Sequence, residues 1–303
     1  MKSGLFFSTG GIHLATLFGM TLGLKETLSN VDYCGGISAG ALLSALCATY
    51  STTELENIIQ MHAHDKLLQN RFKYFNTILS TLCKTSILDD TNLKHLIHQL
   101  LSGRVLQKDL FIGVTKEDTM SYEIKHFEKG KTYTELPTYV HGSMSMPLFL
   151  PGVKYKKDTL IDGGMFHSIP VEAIDHCIQK LIDANETEFN LTILSAKRFD
   201  AKMKPMQSKH FLVPHKAIRM MYSHGYTTMH NDHIILNKAI SNAEEHGLGI
   251  HLNFFSIPDE KITYYDRHIK MQDYGDVNDN MVNTLVELGK QIVHSALYNK
   301  LKF

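Results

Sequence analysis

Ser38 is the residue of this sequence whose neighbours best suit a nucleophile. It lies in a G-x-S-x-G frame, between Gly36 and Gly40, where an apolar strand-like segment is followed by an apolar helix-like segment. Small flanking residues let the chain turn sharply and present the serine oxygen at a helix N-terminus. The helix dipole there favours the negative charge that develops when a carbonyl is attacked. The frame therefore predicts acyl transfer through a serine, although it also fits a tight turn in which Ser38 only caps the helix.

A second glycine turn could stabilise that developing charge. Gly10 and Gly11 follow the first apolar segment of the chain. Their backbone N–H groups could face Ser38 as an oxyanion hole, because missing side chains let a substrate carbonyl approach closely. A phosphate-binding or dinucleotide-binding turn is the alternative, but the pattern G-x-G-x-x-G is absent from this segment.

A third turn places a carboxylate after a short apolar segment. Asp162 is followed by Gly163 and Gly164, a pattern that is also common in ordinary β-turns. The elements that position the first two turns are clearer, since residues 5–37 have the pattern strand, turn, helix and strand. Such a βαβ unit predicts a parallel sheet with both turns at the carboxyl edge of neighbouring strands. Asp162 reaches the same edge if its own strand is parallel to them.

Taken in this order, the three turns resemble those of patatin-like phospholipases. Two further motifs share the resemblance. They are a Ser-x-x-x-Pro-x-x-x-Pro stretch at Ser143–Pro151 and a proline segment that follows the D-G-G turn as far as Val171. The similarity covers roughly residues 5–50 and 140–180.

The resemblance implies a three-layer α/β fold with a mainly parallel central sheet and hydrolysis of lipid acyl esters. It also implies a Ser-Asp dyad without a catalytic histidine, in which Ser38 is the nucleophile and Asp162 the base. A free aspartate titrates near ~4. We therefore expect Asp162 to lie close to the Ser38 Oγ atom, with a pKa that partial burial raises toward neutrality.

Two loops depart from the family pattern. Thr9, His13 and Leu14 stand where the family usually has a glycine, a basic residue and a second glycine. His167 and Ser168 stand where it has a pair of asparagines. A member altered in this way could bind lipid or a protein partner without hydrolysis, so a binding module is one alternative to an enzyme.

Histidines support two other interpretations. His167, His251 and His268 follow Asp162 in the chain order of a Ser-Asp-His triad, which leaves a general carboxylesterase of the α/β-hydrolase type as an alternative. Five more histidines lie within residues 215–246, but no H-E-x-x-H motif accompanies them. We expect neither a metal nor another cofactor.

The length and composition predict one domain with an insertion. With 303 residues and 43% apolar content, residues 1–303 can bury the core of a single α/β domain. The pattern between about 52 and 108 is helical and predicts an inserted cap. Its apolar residues could pack on the core or line a lipid entrance; they are Phe72, Tyr74, Phe75, Ile78, Leu79 and Leu82.

Charge and cysteine usage limit the partners and the compartment. The 31 basic and 31 acidic residues balance, so no overall field attracts nucleic acid. No apolar run is long enough to span a bilayer, and no small-residue cleavage site follows the apolar run at 14–24. We therefore expect a cytoplasmic or peripheral protein that contacts membranes reversibly. The wide spacing of its cysteines favours free thiols in a reducing compartment. There are four of them, Cys34, Cys47, Cys83 and Cys177.

Overall fold

The computed structural model describes residues 1–62, 69–70, 88–147, 149–198, 213–258 and 279–300. Its strands are β1 (Lys2–Phe7), β2 (Tyr33–Ile37), β3 (Gln69–Asn70), β4 (Leu88–Asp89), β5 (Asp109–Lys116), β6 (Ser121–Phe127), β7 (Val153–Tyr155), β8 (Asp158–Asp162), β9 (Glu188–Ser195) and β10 (Gly249–Ser256). Its helices are α1 (Leu14–Gly23), α2 (Lys25–Leu28), α3 (Ala39–Thr49), α4 (Thr52–His62), α5 (Thr91–Leu101), α6 (Leu136–Met144), α7 (Val171–Asp183), α8 (Val213–Glu245) and α9 (Asp279–Lys300).

Eight strands of the described residues form one sheet in the order β10-β9-β1-β2-β5-β8-β7, with β6 also paired to β5. The pairings that join β10, β9, β1, β2 and β5 are parallel. The pairings of β6, β7 and β8 are antiparallel. The predicted α/β class is confirmed, and the sheet as a whole is mixed, with its antiparallel strands beside β5.

Helices cover both faces of this sheet because its strands are apolar on both sides. Along β5, Leu110, Ile112 and Val114 belong to one buried cluster, whereas Phe111 belongs to the other. The first cluster includes residues of α1, α3, α5, α6 and α9, and the second includes residues of α7 and α8. Near-continuous apolar strands are typical of sheets buried on both faces, so the predicted three layers are present.

The βαβ prediction is confirmed, but the strand that carries Asp162 runs in the opposite direction to the one expected. Strand β1 pairs in parallel with β2, so the turns that follow them share one edge. Strand β8 is antiparallel to β5, with Asp162 opposite Val114. On β5, strand β8 pairs only with the C-terminal residues, which extend beyond the last residue that pairs with β2. It therefore runs toward the C-terminal end of β2 and ends beside it.

The predicted insertion at about 52–108 is described only in part. Helices α4 and α5 lie in it, and β3 pairs with β4 in a separate two-stranded sheet. Residues 63–68 and 71–87, which include the six apolar residues of the proposed lipid entrance and Cys83, lie outside the described residues. No helix in the described ranges has both the length and the apolar composition required to cross a bilayer.

Glycines allow helix α9 to approach α1 closely. A Cβ atom on Gly19 would overlap the backbone carbonyl of Val286, and one on Gly289 would overlap the carbonyl of Thr16. Because only glycine lets two helix backbones come this near, these positions fix where α1 lies. Helix α1 begins at Leu14, directly after a short 3-10 helix (Gly11–His13) that includes the second glycine, so this contact also supports the first glycine turn.

Candidate active site

Ser38 lies at a strained turn between β2 and α3. Its backbone has φ 59° and ψ −127°, a region that non-glycine residues rarely adopt. The turn needs both flanking glycines, since a Cβ on Gly36 would overlap the Gly40 carbonyl and a Cβ on Gly40 would lie 2.5 Å from the Ser8 carbonyl oxygen. Although Ser38 occupies the N-cap position of α3, its side chain makes no capping hydrogen bond. Its hydroxyl is therefore not used to cap the helix.

Ser143 holds this turn from helix α6. The Ser38 backbone N–H donates to Ser143 Oγ at 2.9 Å, and Ser143 Oγ donates to the Gly113 carbonyl at 2.6 Å. All these groups are buried, where an unpaired N–H would be costly. Ser143 thus joins the turn to strand β5 and supports the strained backbone of Ser38.

Asp162 lies beside Ser38 and is almost completely buried, with 4% of its surface exposed. Its carboxylate accepts hydrogen bonds from the Ser38 hydroxyl and, at 2.7 Å, from the Gly164 N–H. Burial raises the pKa of Asp162 from 3.8 to about 6, although the hydrogen bonds from Ser38 and Gly164 partly oppose this rise. The predicted proximity is present, and the pKa lies in the range that a general base needs.

The backbone of Asp162 is fixed by two elements. Its N–H donates to the Ser145 carbonyl at 3.0 Å, just after helix α6, and its carbonyl accepts from Thr115 Oγ1 at 3.1 Å on β5. Gly163 must lack a side chain, because its Cβ would lie 2.6 Å from the Gly113 carbonyl oxygen. Helix α6 therefore supports both the nucleophile candidate and its carboxylate.

The first glycine turn lies against the other two. A Cβ on Gly10 would lie 3.2 Å from the Cβ of Ala39, the residue after Ser38. Gly11 has φ 52° and an open space on its side-chain face. The Thr9 N–H donates to the Ser168 carbonyl at 2.7 Å, which ties this turn to the loop that follows Gly164. The structure thus brings all three predicted turns together, and the oxyanion role of Gly10 and Gly11 stays a prediction.

His13, at the position of the family's basic residue, is buried. Burial, and to a smaller extent the charge of Lys197, lower the pKa of His13 to about 4. Its Nδ1 atom has no hydrogen-bond partner among the described residues. His13 is therefore neutral at pH 7 and adds no positive charge to the glycine turn.

Asp232 is a site-supporting residue that the sequence did not reveal. It is fully buried on α8, and its carboxylate contacts His167 Nδ1 at 2.6 Å and accepts from the N–H groups of Ser168 and Ile169 at 2.6 and 2.8 Å. A signal for it exists in the helical periodicity. Asp232 interrupts an otherwise apolar, buried stripe of α8 that consists of Met229, Leu236, Ala239 and Ala243.

The histidines of the alternative Ser-Asp-His triad lie in other surroundings. His167 contacts Asp232 and lies 3.7 Å from Glu172. His251 is near the start of β10, 3.9 Å from Glu188, at the opposite edge of the sheet from Ser38. His268 lies outside the described residues. Asp162 therefore contacts Ser38 directly, and neither described histidine stands between them.

Metal-ligand clusters and disulfides are not found in the described ranges. Those ranges contain no group of three or more His, Cys, Asp or Glu side chains that could hold a metal ion. Cys34, Cys47 and Cys177 are buried and unpaired. No described feature of the site therefore requires a metal or a disulfide.

A strained serine and a buried carboxylate at one edge of a three-layer sheet define the class, an α/β protein with a candidate serine-aspartate site. The family model "Patatin-like phospholipase" matches residues 5–175, which include all three glycine turns. The chain belongs to this family. Family membership supports lipid hydrolysis at the level of the family.

Individual relatives match about half of this chain, which spans only about a tenth of their own length. It is 29% identical over 178 residues to Neuropathy target esterase sws of Drosophila melanogaster, covering 56% of this chain and 12% of that protein. The corresponding Drosophila erecta protein is 30% identical over 174 residues, covering 55% of this chain and 11% of that protein. Among solved structures, VipD from Legionella pneumophila aligns with 98% of this chain and 67% of its own, at 13% identity and a TM-score of 0.46.

Proposed function

We propose that this chain hydrolyses acyl esters of lipids through an acyl-serine intermediate, with Ser38 as nucleophile and Asp162 as base. One observation carries the proposal. The Ser38 hydroxyl, held at a strained turn, donates a hydrogen bond to a buried carboxyl whose pKa burial raises to about 6. A carboxylate in this position can accept the serine proton near neutral pH.

The proposed reaction has two halves. In the first, Asp162 takes the Ser38 proton as Oγ attacks the ester carbonyl, and the N–H groups of Gly10 and Gly11 hold the developing oxyanion. Collapse of the tetrahedral intermediate breaks the ester bond, and Asp162 returns the proton to the leaving alcohol. In the second half, Asp162 takes a proton from water as the water attacks the acyl-serine. The bond between Ser38 Oγ and the acyl carbon breaks, the fatty acid leaves, and Asp162 passes the proton to Ser38 Oγ.

Three observations support a lipid substrate and a reversible contact with a lipid surface. The family is one of phospholipases, and the Drosophila relatives are named as esterases. Phe166 follows the Asp162 turn and is 38% exposed, so the loop that carries the D-G-G turn presents an apolar ring at the surface. A protein that binds membranes reversibly through such residues would be cytoplasmic or peripheral.

A fluorophosphonate probe separates this enzyme from a binding module of the same fold. The wild type should be labelled, and Ser38→Ala should not, because the probe reacts only with an activated serine. Asp162→Asn should fold normally, and the probe should label it much more slowly than it labels the wild type. Absence of labelling in the wild type, with and without phospholipid vesicles, would favour the binding module.

Acyl-chain dependence tests the substrate class. We expect faster turnover of octanoyl and longer p-nitrophenyl esters than of the acetyl ester, and release of free fatty acid from phosphatidylcholine vesicles. Mass spectrometry of a mixed lipid extract, with Ser38→Ala as the blank, would identify the lipid consumed. Equal or faster acetyl ester cleavage with every glycerolipid intact would instead indicate a general esterase.

A further inference from the structure

One face of helix α8 holds the loop that follows the D-G-G turn. His224 Nε2 lies 2.7 Å from the Met165 carbonyl oxygen, and Thr228 Oγ1 lies 2.6 Å from Ser168 Oγ. Asp232 contacts the same loop one turn further along the helix. The spacing of four residues between these three positions puts them on one side of α8.

Asp232 is the centre of this contact. One of its oxygens lies 2.6 Å from His167 Nδ1, and the other accepts from the backbone N–H groups of Ser168 and Ile169. None of its surface is exposed. A carboxylate at such depth is strongly destabilising unless its oxygens are satisfied. Here the loop satisfies them, and the carboxylate in turn satisfies two backbone N–H groups.

The loop that Asp232 holds touches both halves of the candidate active site. The Ser168 carbonyl accepts the Thr9 N–H at 2.7 Å, immediately before the glycines of the predicted oxyanion hole. A Cβ on Gly164 would lie 2.9 Å from Thr9 Cγ2, so the two turns are in close contact. Gly164 in turn donates its N–H to the Asp162 carboxylate. A shift of this loop would move the oxyanion turn and the base together.

We infer that Asp232 is a positioning residue for the Ser38–Asp162 site, an inference that rests on the proposed function. Asp232 touches no reacting atom. It acts by fixing residues 167–169, which set the distance between the first glycine turn and the D-G-G turn. It lies outside the residues matched by the family model, 5–175.

Three variants separate positioning from general stability. Asp232→Ala removes every acceptor. Asp232→Asn keeps an amide oxygen for the N–H groups of Ser168 and Ile169 and presents its NH2 group to His167, whose tautomer can adjust. Leu236→Ala is the matched control, because Leu236 is 1% exposed on the same helix and belongs to the core cluster.

The kinetic readouts are the rate of fluorophosphonate labelling, and kcat and KM for p-nitrophenyl octanoate, all measured well below each variant's Tm. In Asp232→Ala we expect labelling and kcat to fall about 10- to 100-fold, because small displacements of reacting groups have effects of this size. KM should change little. Asp232→Asn should recover to within about threefold of the wild type, and Leu236→Ala should lower Tm but leave kcat near normal.

Amide hydrogen exchange gives a readout that does not depend on activity. Exchange in peptides covering residues 8–11 and 163–169 should accelerate in Asp232→Ala and stay unchanged in Leu236→Ala. The inference is overturned if Asp232→Ala and Leu236→Ala give the same kcat, or if exchange at residues 8–11 does not respond to Asp232. A wild type that neither labels nor hydrolyses would overturn the proposed function, and the exchange comparison would still decide whether Asp232 holds the glycine turn.

Discussion

Ser38 and Asp162 lie side by side because strands β2 and β8 run toward each other along the same side of β5 and end at neighbouring positions. Strand β2 ends with Ile37 opposite Gly113, and β8 ends with Asp162 opposite Val114, the next residue of β5. Strand β6 pairs along the whole of this part of β5, so β2 and β8 share its other side. Both chains must therefore turn away from the sheet at the same point, which brings the serine and the carboxylate together.

The pH dependence of turnover should follow the carboxyl of Asp162. Burial raises its pKa to about 6, and the proposed base is the ionised form. We therefore expect kcat/KM to be level above about pH 7 and to fall nearly tenfold per pH unit below about pH 5.5. Initial rates with p-nitrophenyl octanoate between pH 4.5 and 8.5 would test this. A profile whose midpoint lies near 4 would contradict the assignment of Asp162 as the base.

Asp162→Asn should be more stable than the wild type at neutral pH. The folded chain holds the Asp162 proton up to about pH 6, whereas the ordinary pKa is 3.8. The stability that this group contributes is thus present below pH 4 and is lost as the pH rises to about 6. At about 1.4 kcal/mol per pH unit, the asparagine variant should gain on the order of 3 kcal/mol at pH 7. Urea unfolding at pH 4 and pH 7 measures this, and the gain should fall below about 1 kcal/mol at pH 4.

Ser143→Ala should impair the site through the backbone of Ser38. The change removes the acceptor of the Ser38 N–H and the donor to Gly113. An unpaired buried N–H costs about 1–3 kcal/mol, and relaxation of the strained turn should lower kcat at least about tenfold. Ser145→Ala is the control, because it loses only a side-chain bond to His141 and keeps the carbonyl that holds Asp162. Equal kcat values for the two variants would argue against this role of Ser143.

The α1–α9 contact predicts an order of stability for two glycine variants. A Cβ at Gly19 would overlap the backbone of Val286, which cannot move alone, whereas a Cβ at Gly23 would lie 3.0 Å from the side chain of Val293. Alanine is favoured over glycine by about 1 kcal/mol in a helix, so the clash decides the sign. We expect Gly19→Ala to lose about 2 kcal/mol or more and Gly23→Ala to change by less than about 1 kcal/mol. Denaturant titration of both variants measures their free energies of unfolding. A smaller loss for Gly19→Ala than for Gly23→Ala would contradict this prediction.

Removal of metal ions should leave hydrolysis intact. The proposed nucleophile and base are both side chains of this chain, so no step requires a metal-bound water. Protein dialysed against EDTA should keep its initial rate on p-nitrophenyl octanoate. Loss of activity that only one added ion restores would overturn the Ser-Asp mechanism or identify an activator site.

The sequence by itself determined the three turns, because their geometry is local. Gly36 and Gly40 permit the sharp turn at Ser38 through the absence of their own side chains, and the same holds for Gly163 after Asp162. The βαβ pattern of residues 5–37 then placed the first two turns at one edge, since its crossover leaves little choice of topology. These features depend on steric limits between residues that are close in the chain, so they can be predicted from the sequence alone.

Only the tertiary structure decided how Asp162 reaches that edge and what holds its loop. The direction of β8 depends on which side of β5 is free beyond Ile37, and no local pattern records that. Asp232 lies 64 residues from Ser168, so a helical position that would otherwise be apolar gained its partners only when α8 packed on the loop. Contacts of this kind arise from long-range packing. It buries a carboxylate together with N–H groups that would otherwise be unpaired, and the hydrogen bonds between them stabilise both.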